Sequence, residues 1–230
     1  MSESRDIDFE SGGRRIAGRV FCGSNLQRDV AGLLFVHGLN SSHAGYRTRA
    51  EAVVKAQGTT CLTIDLGGHG RSLGELSRLS PRDHLGDVCA AYDCLSQQPH
   101  VARERIGVYG ASYGGFLSAL LVAERSVARL LLRAPALYDD RSVDVPLGHR
   151  ETHPGPLQAS ELFDGLRYMM GDVLILESEH DTVVPHSVIA TYLEHIPHPH
   201  HEILAGAEHK ITPQFEQDLV DVILAWFKDL

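Results

Sequence analysis

Long apolar runs and clusters of basic residues are both missing from this sequence of 230 residues. Its longest apolar stretches, residues 116–123 and 130–137, fall well short of the ~20 residues that a membrane-spanning helix needs. Acidic residues outnumber basic ones by 30 to 21, which gives a formal net charge of -9. Because an acidic surface repels phosphate groups, we expect neither nucleic acid nor an anionic membrane as a partner.

Cysteine is scarce, and its spacing suggests no disulfide framework. The four cysteines, which include Cys22, form no Cys-x-x-Cys pair; Cys61 lies in a strand-like run, and Cys89 and Cys94 in a helix-like run. We therefore expect buried free thiols in a reducing compartment. The charged N-terminal residues 1–6 lack the apolar core of a signal peptide, so the sequence favours a cytoplasmic protein.

Strand-like and helix-like runs alternate from residue 31 onward, after a predicted N-terminal hairpin. The predicted strands are residues 7–9, 15–21, 32–36, 61–64, 106–109, 128–133, 173–176 and 203–204. The predicted helices are residues 46–57, 81–95, 113–124, 160–170, 187–195 and 215–230. This alternation implies a mostly parallel sheet with helices on both faces. We predict one α/β domain that spans residues 1–230.

One region interrupts the alternation. Residues 135–171 contain Pro146, Pro154 and Pro156 and carry only weak helix signals. A stretch of this length is too long for an ordinary connection between two elements of a compact domain. We predict that about residues 136–171 form a short cap inserted beside a functional site.

A candidate nucleophile lies between a predicted strand and a predicted helix. The sequence Gly-Ala-Ser-Tyr-Gly-Gly, residues 110–115, places Ser112 at that junction with small residues around it. A sharp strand-to-helix turn needs small neighbours and exposes its central side chain above the sheet edge. A serine at this position indicates acyl transfer through a covalent ester. The alternative is a glycine-rich turn whose serine only caps a helix.

Two backbone N–H groups are candidates for stabilising the oxyanion of such a reaction. One belongs to Tyr113, the residue after the nucleophile, and the other to Leu39 in the loop after the strand 32–36. We favour Leu39 because Gly38 allows its backbone to come close to a substrate. His37 comes too early in the chain to be the base, and we expect its ring to brace this loop. His69 is expected to brace a second turn nearby.

The acid and the base are expected in loops after later strands, because a serine hydroxyl needs a base that a carboxylate orients. Asp181 follows the strand 173–176 on a loop, and His209 follows the last predicted strand. Glu179 is the second candidate for the acid. Asp172 precedes its strand and lies at the wrong end of the sheet, and a structural role is expected for Glu177.

The remaining histidines include a late group interleaved with prolines, namely His195, His198, His200 and His201. Their spacing matches no pair on one helix face, and no nearby carboxylate or thiolate completes a metal-binding set. We therefore predict exposed loop histidines and no metal site.

These motifs together resemble the α/β-hydrolase superfamily over nearly the whole chain from residue 31. They are the His-Gly loop, the Asp-x-x-Gly-His-Gly-x-Ser turn at residues 65–72, the Gly-x-Ser-x-Gly motif, and the late Asp181 and His209 in the order nucleophile, acid, base. The Ser-Tyr-Gly-Gly sequence is similar both to small carboxylesterases and to the catalytic domains of prolyl oligopeptidases. The resemblance implies an eight-stranded sheet and a cap before the strand that carries the acid.

The sequence thus predicts a serine carboxylesterase that acts on small or medium, uncharged acyl esters without a cofactor. The catalytic residues would be Ser112, Asp181 and His209, with the N–H groups of Leu39 and Tyr113 as oxyanion donors. A peptidase or acyl-peptide hydrolase and a thioesterase are alternatives that use the same residues. A non-catalytic binder of small molecules on the same scaffold is the alternative from another class. The sequence does not determine the oligomeric state.

Overall fold

A central sheet of eight strands organises the protein, whose computed structural model describes residues 2–24, 29–149 and 156–230. The strand order is β1-β2-β4-β3-β5-β6-β7-β8. β1 and β2 pair antiparallel, as do β2 and β4, and all other neighbours are parallel. The strands are β1 Ser2–Ser11, β2 Arg14–Gly23, β3 Val30–Val36, β4 Thr60–Ile64, β5 Val101–Ala111, β6 Arg129–Arg133, β7 Asp172–Ser178 and β8 His200–Leu204.

Helices cover both faces of this sheet. They are α1 Arg47–Gln57, α2 Pro81–Ser96, α3 Tyr113–Leu121, α4 Ser160–Tyr168, α5 His186–His195 and α6 Glu216–Trp226. α1 and α6 pack on one face, and α2 to α5 pack on the other. Alternate residues of β3 serve the two faces, since Leu34 packs with α2 and α3 whereas Phe35 packs with α1. The predicted α/β architecture with helices on both faces is therefore confirmed.

Local sequence signals explain several element boundaries. Ser80 caps α2 in a capping box: its Oγ accepts from the Asp83 N–H, and the Asp83 carboxylate accepts from the Ser80 N–H at 2.9 Å. Pro81 occupies the first turn, where its missing N–H costs no hydrogen bond. Gly12 and Gly13 both have positive φ, and they form the predicted turn between β1 and β2.

The predicted first residues of two strands, β5 and β8, need correction. β5 begins at Val101 rather than at residue 106, because Val101 pairs with Val30 across an irregularity in the register. β8 begins at His200 because His200 and His201 pair with Leu174 and Ile175 of β7. The prediction that these two histidines lie in a loop is wrong.

The region between β6 and β7 carries two short 3-10 helices, Asp140–Ser142 and Leu147–His149, followed by α4. Residues 150–155 of the predicted cap, including Pro154, lie outside the described residues. The region rests on the beginning of α2, since Arg82 forms ion pairs with Asp144 and Glu161.

All four cysteines are free, as predicted, but only Cys61 is fully buried. The expectation of burial is therefore wrong for Cys89 and Cys94, which are partly exposed, as is Cys22. No helix within residues 2–24, 29–149 and 156–230 combines the length and apolar character needed to cross a membrane.

Candidate active site

Ser112 lies at the turn between β5 and α3 in a strained backbone conformation, with φ 54° and ψ -119°. A residue with a Cβ rarely adopts a positive φ, so the surrounding structure must hold it there. Three backbone hydrogen bonds do so: the Ser112 N–H donates to the Arg133 carbonyl at 2.9 Å, and the Ser112 carbonyl accepts from Phe116 and Ala136. The serine is thereby fixed at the carboxyl edge of the sheet.

Two glycines let the loop after β3 approach this turn. A Cβ on Gly114 would lie 2.4 Å from the Val36 carbonyl oxygen, which no side chain tolerates. A Cβ on Gly38 would lie 3.3 Å from the Ser112 Cβ and 3.9 Å from its Oγ. The peptide between Gly38 and Leu39 is therefore a close neighbour of the serine side chain.

His209 connects Ser112 to Asp181. Its Nε2 lies 3.0 Å from the Ser112 Oγ, and its Nδ1 lies 2.7 Å from the Asp181 Oδ2. An ionised carboxylate can only accept, so Nδ1 carries the proton and Nε2 is free to accept the hydrogen bond from the serine hydroxyl. The structure thus brings together the three residues that the sequence places 69 and 28 positions apart.

The carboxylate of Asp181 is held from both sides. Its Oδ1 accepts from the N–H groups of Val183 and Val184, both at 2.8 Å, while Oδ2 accepts from His209. The Asp181 side chain is only 4% exposed and that of His209 is 21% exposed. The carboxylate therefore points at the imidazole from a nearly dry position, and the ring keeps one edge toward solvent.

The other carboxylates near this loop make different contacts. Glu179 accepts from the Gly206 N–H at 2.6 Å, and Glu177 lies between His186 at 2.7 Å and His201 at 3.0 Å. Asp172 is the first residue of β7, at the opposite end of that strand. The structure therefore brings Asp181, and none of these three, to His209.

Sequence reasoning missed Arg133, the last residue of β6. Its Nη2 donates to the Ser178 Oγ at 2.8 Å and to the Glu208 carbonyl at 3.0 Å. Arg133 thus links the end of β7 to the residue before His209. A charged residue directly after the three leucines 130–132 was the available signal in the sequence.

His37 braces the loop that contains Leu39. The Leu66 N–H donates to its Nε2 at 3.0 Å, so Nδ1 carries the proton and donates to the Gly38 carbonyl at 2.7 Å. That carbonyl and the Leu39 N–H belong to one planar peptide group. His37 therefore fixes the direction in which the Leu39 N–H points.

Two more buried imidazoles continue this bracing. His69 accepts from the Asn40 N–H at 3.2 Å, and its Nδ1 donates to the Gly67 carbonyl at 3.1 Å. His84 donates from Nε2 to the same carbonyl at 2.9 Å and accepts from the Tyr113 hydroxyl at 2.9 Å. The rings of His37, His69 and His84, which we call the histidine column, connect the loop of Leu39 to Tyr113.

Burial keeps part of the histidine column neutral. Desolvation lowers the pKa of His37 to about 4 and also lowers the pKa of His84, where the proximity of His69 acts in the same direction. A neutral ring can donate from one nitrogen and accept at the other, and each ring of the column does both.

We expect acid to destabilise the protein through His37. As the pH falls below 6.5, its ordinary pKa, the unfolded chain takes up a proton that the folded chain refuses until about pH 4. The free energy of unfolding should therefore fall by roughly 3 kcal/mol over this interval on account of His37 alone.

Denaturant melts at pH 4 to 7 would measure this effect. His37→Asn removes the titration, so the variant should show a shallower dependence of stability on pH, whereas His198→Gln at an exposed histidine should follow the wild type. Equal pH slopes for His37→Asn and the wild type would contradict this account.

The late histidines do not form a common site. His195 ends α5 and stacks on Phe163 with ring centroids 4.5 Å apart, and His201 pairs with Glu177. Only His198 lies in an exposed loop, as predicted. Within the described ranges, no group of three or more His, Cys, Asp or Glu side chains is arranged to hold a metal ion.

Two cavities meet at Leu39. One, of about 460 Å³, includes Ser112 and His209 among its lining residues and extends toward α1. The other, of about 480 Å³, lies between the loop of Leu39 and the region after β6, and its apolar wall includes Leu76 and Leu147. Ser112 thus has beside it a cavity of mixed lining that includes three basic residues, Arg49, Arg133 and Lys210, and an apolar cavity across Leu39.

Solved structures of hydrolases share this fold. Est1E from Butyrivibrio proteoclasticus, solved with ferulic acid bound, is 16% identical with a TM-score of 0.76, over 96% of this chain and 98% of that one. The esterase EaEST from Exiguobacterium antarcticum is 15% identical with a TM-score of 0.73, over 96% and 99%. A candidate dipeptidyl aminopeptidase IV from Bacteroides ovatus is 20% identical with a TM-score of 0.78, over 99% of this chain but 36% of that one.

At identities this low, these structures establish the fold alone, and they confirm the eight-stranded α/β-hydrolase architecture. No curated protein matches the chain. A family model does match, over a segment that holds the loop of Leu39 and Ser112 but ends before Asp181. More than half of the chain, residues 27–156, matches the family described as serine aminopeptidase, S33 (Hydrolase_4), and the chain therefore belongs to this family of α/β hydrolases.

Proposed function

We propose that this hydrolase is a serine esterase that cleaves small to medium acyl esters through an acyl-enzyme. The observation that carries the proposal is the continuous hydrogen-bonded chain from the Ser112 Oγ through His209 to Asp181, at 3.0 and 2.7 Å. The strained turn presents the hydroxyl, the imidazole accepts its proton, and the buried carboxylate stabilises the resulting imidazolium.

The reaction proceeds in two halves. The Ser112 Oγ attacks the ester carbonyl carbon while His209 Nε2 takes the hydroxyl proton, and the C–O bond of the tetrahedral intermediate then breaks as the imidazolium protonates the departing alcohol. A water molecule next attacks the acyl carbon while His209 Nε2 takes its proton. The bond between this carbon and the Ser112 Oγ then breaks, the imidazolium returns the proton to Oγ, and the acid is released. Asp181 keeps Nδ1 protonated throughout, so Nε2 faces the reacting atoms.

The oxyanion of each tetrahedral intermediate would be held by the N–H groups of Leu39 and Tyr113. Support comes from the close approach of Gly38 to Ser112 and from the bond between His37 and the Gly38 carbonyl, which orients the Leu39 N–H. One such donor contributes about 3–4 kcal/mol to lowering the barrier. No cofactor takes part in the proposed steps.

We further propose that residues 136–171 act as the cap of this site. Leu147 and Gly148 line the apolar cavity across Leu39, where an acyl chain or an apolar alcohol would lie. The limited volume of that cavity, about 480 Å³, favours small and medium substrates.

The second candidate function is an aminopeptidase, which the description of the matched family favours. The cavity beside Ser112 argues against it, because Arg133 and Lys210 line that cavity. The free ammonium group of an aminoacyl substrate would meet like charges there, at a cost of several kcal/mol.

Comparing p-nitrophenyl butyrate with an aminoacyl p-nitroanilide tests this choice. We expect kcat/KM for the ester to exceed that for the anilide by about 100-fold after correction for uncatalysed rates, a difference of ~3 kcal/mol. Faster cleavage of the anilide would favour the peptidase. A fluorophosphonate probe should also label Ser112 stoichiometrically, and failure to label would favour a non-catalytic binder.

A further inference from the structure

The cavity beside Ser112 contains a buried guanidinium that has no counterion among the described residues. Arg133 is only 5% exposed, and its Nη2 donates to two neutral acceptors, the Ser178 Oγ and the Glu208 carbonyl. Its Nε is buried without a hydrogen-bond partner. Among residues 2–24, 29–149 and 156–230, no carboxylate lies within 4.0 Å of this guanidinium. Burying an unpaired charge is costly, so these donors are suited to binding an anion in the cavity.

Tyr109 supplies a second unsatisfied donor in the same cavity. It lies on β5, is fully buried, and its hydroxyl has no hydrogen-bond partner within the described chain. Burial raises the pKa of Tyr109, while the guanidinium groups of Arg49 and Arg133 oppose that rise. The hydroxyl is therefore a protonated donor in the field of the Arg133 guanidinium.

The neighbouring Arg49 shows what a satisfied arginine looks like in this protein. Its Nε and Nη2 bind the two carboxylate oxygens of Glu216 at 2.8 and 2.7 Å, and this pair is electrically neutral. Lys210 adds an exposed positive charge at the cavity. The cavity thus keeps a net positive charge in a chain whose formal charge is -9.

We propose that this cavity binds a carboxylate carried by the substrate, with the Arg133 Nε–H and the Tyr109 O–H as its buried donors. The inference rests on the proposed esterase function and specifies its substrate class: esters that bear a second, free carboxylate. It replaces the expectation of uncharged esters. The carboxylate can belong to the acyl half, as in a half-ester of a dicarboxylic acid, or to the alcohol half, as in an ester of a hydroxy acid.

Matched pairs of substrates test both possibilities. On the acyl side, 4-nitrophenyl hydrogen glutarate is compared with 4-nitrophenyl valerate; on the alcohol side, 4-acetoxybenzoate is compared with its methyl ester. After correction for uncatalysed rates, we expect kcat/KM to favour the anionic member of one pair by at least about tenfold, since a charge-assisted hydrogen bond to a buried cation is strong. The pair that shows this preference identifies the half that carries the carboxylate.

Three variants assign the preference to the cavity. Arg133→Gln should abolish it, and Tyr109→Phe should reduce it severalfold while keeping the fold, because the lost hydroxyl has no partner among the residues that the structure describes. Arg103→Gln removes one positive charge from an exposed position on the same strand as Tyr109, so its anionic-to-neutral ratio should match the wild type. The readout is the ratio of kcat/KM for the anionic substrate to kcat/KM for the neutral substrate. A general loss of activity in Arg133→Gln would lower both values and leave this ratio unchanged.

Calorimetric titration of glutarate into Ser112→Ala separates this inference from the proposed function. Binding that is weakened by adding Tyr109→Phe supports the carboxylate site even if no ester is cleaved, in which case the esterase proposal fails alone. Rapid cleavage of both members of each pair at equal efficiency, with no glutarate binding, overturns the inference and leaves the esterase proposal standing.

Discussion

Replacing Ser112 with alanine should lower kcat on p-nitrophenyl acetate by about 10⁴- to 10⁶-fold, because it removes the atom that forms the acyl-enzyme. The oxyanion donors and His209 remain in the variant, so a residual rate above that of water is expected. Ser187→Ala, at an exposed position on α5, is the matched control and should retain full activity. Steady-state kinetics after removal of contaminating esterases would provide the measurement.

A Ser112→Ala variant with more than a few per cent of wild-type turnover would remove Ser112 from the mechanism. The backbone at this position is strained, and alanine keeps the same Cβ, so the variant should fold as the wild type does. A circular dichroism spectrum and a melting curve would verify this.

Replacing Asp181 with asparagine should lower kcat by about 10⁴-fold, although the shape of the side chain is kept. The amide would still accept from the N–H groups of Val183 and Val184 through its oxygen, which turns its NH₂ toward His209. An NH₂ at that position stabilises the tautomer with the proton on Nε2, and this tautomer cannot accept the proton of Ser112.

Glu179→Gln is the decisive comparison for this prediction, because Glu179 is the alternative acid. Its carboxylate accepts from the Gly206 N–H, and that bond survives in the amide through the oxygen. We expect activity within a few-fold of the wild type. A large loss in Glu179→Gln together with a small loss in Asp181→Asn would reverse the two roles.

The sequence pointed to the three side chains that the structure brings together, because each follows a local pattern. Ser112 and Asp181 each come shortly after a strand that reads clearly as apolar, and His209 follows the short apolar pair 203–204. Parallel strands bring their carboxyl ends to one edge. Because these signals are local, they predict the site without knowledge of long-range packing.

The features that escaped prediction depend on contacts between distant segments. Tyr109 and Arg133 lie inside apolar runs, and whether their polar atoms find partners is decided by residues such as Ser178 and Glu208. The beginning of β8 escaped for a similar reason: the prolines at 197 and 199 suggest a loop, whereas pairing with β7 extends the strand to His200. Tertiary pairing outweighs local propensity there.

The position of β8 has a consequence for how the protein would lose activity. β8 is the last strand in the sheet, it pairs with β7 within the described residues, and four of its five residues are exposed. Exposed edge strands open at a lower free energy than the strands in the interior of a sheet. Because His209 follows β8, opening of this strand would move the His209 imidazole away from the Ser112 hydroxyl while the interior strands stay intact. We therefore expect activity to be lost at a lower temperature than that of global melting.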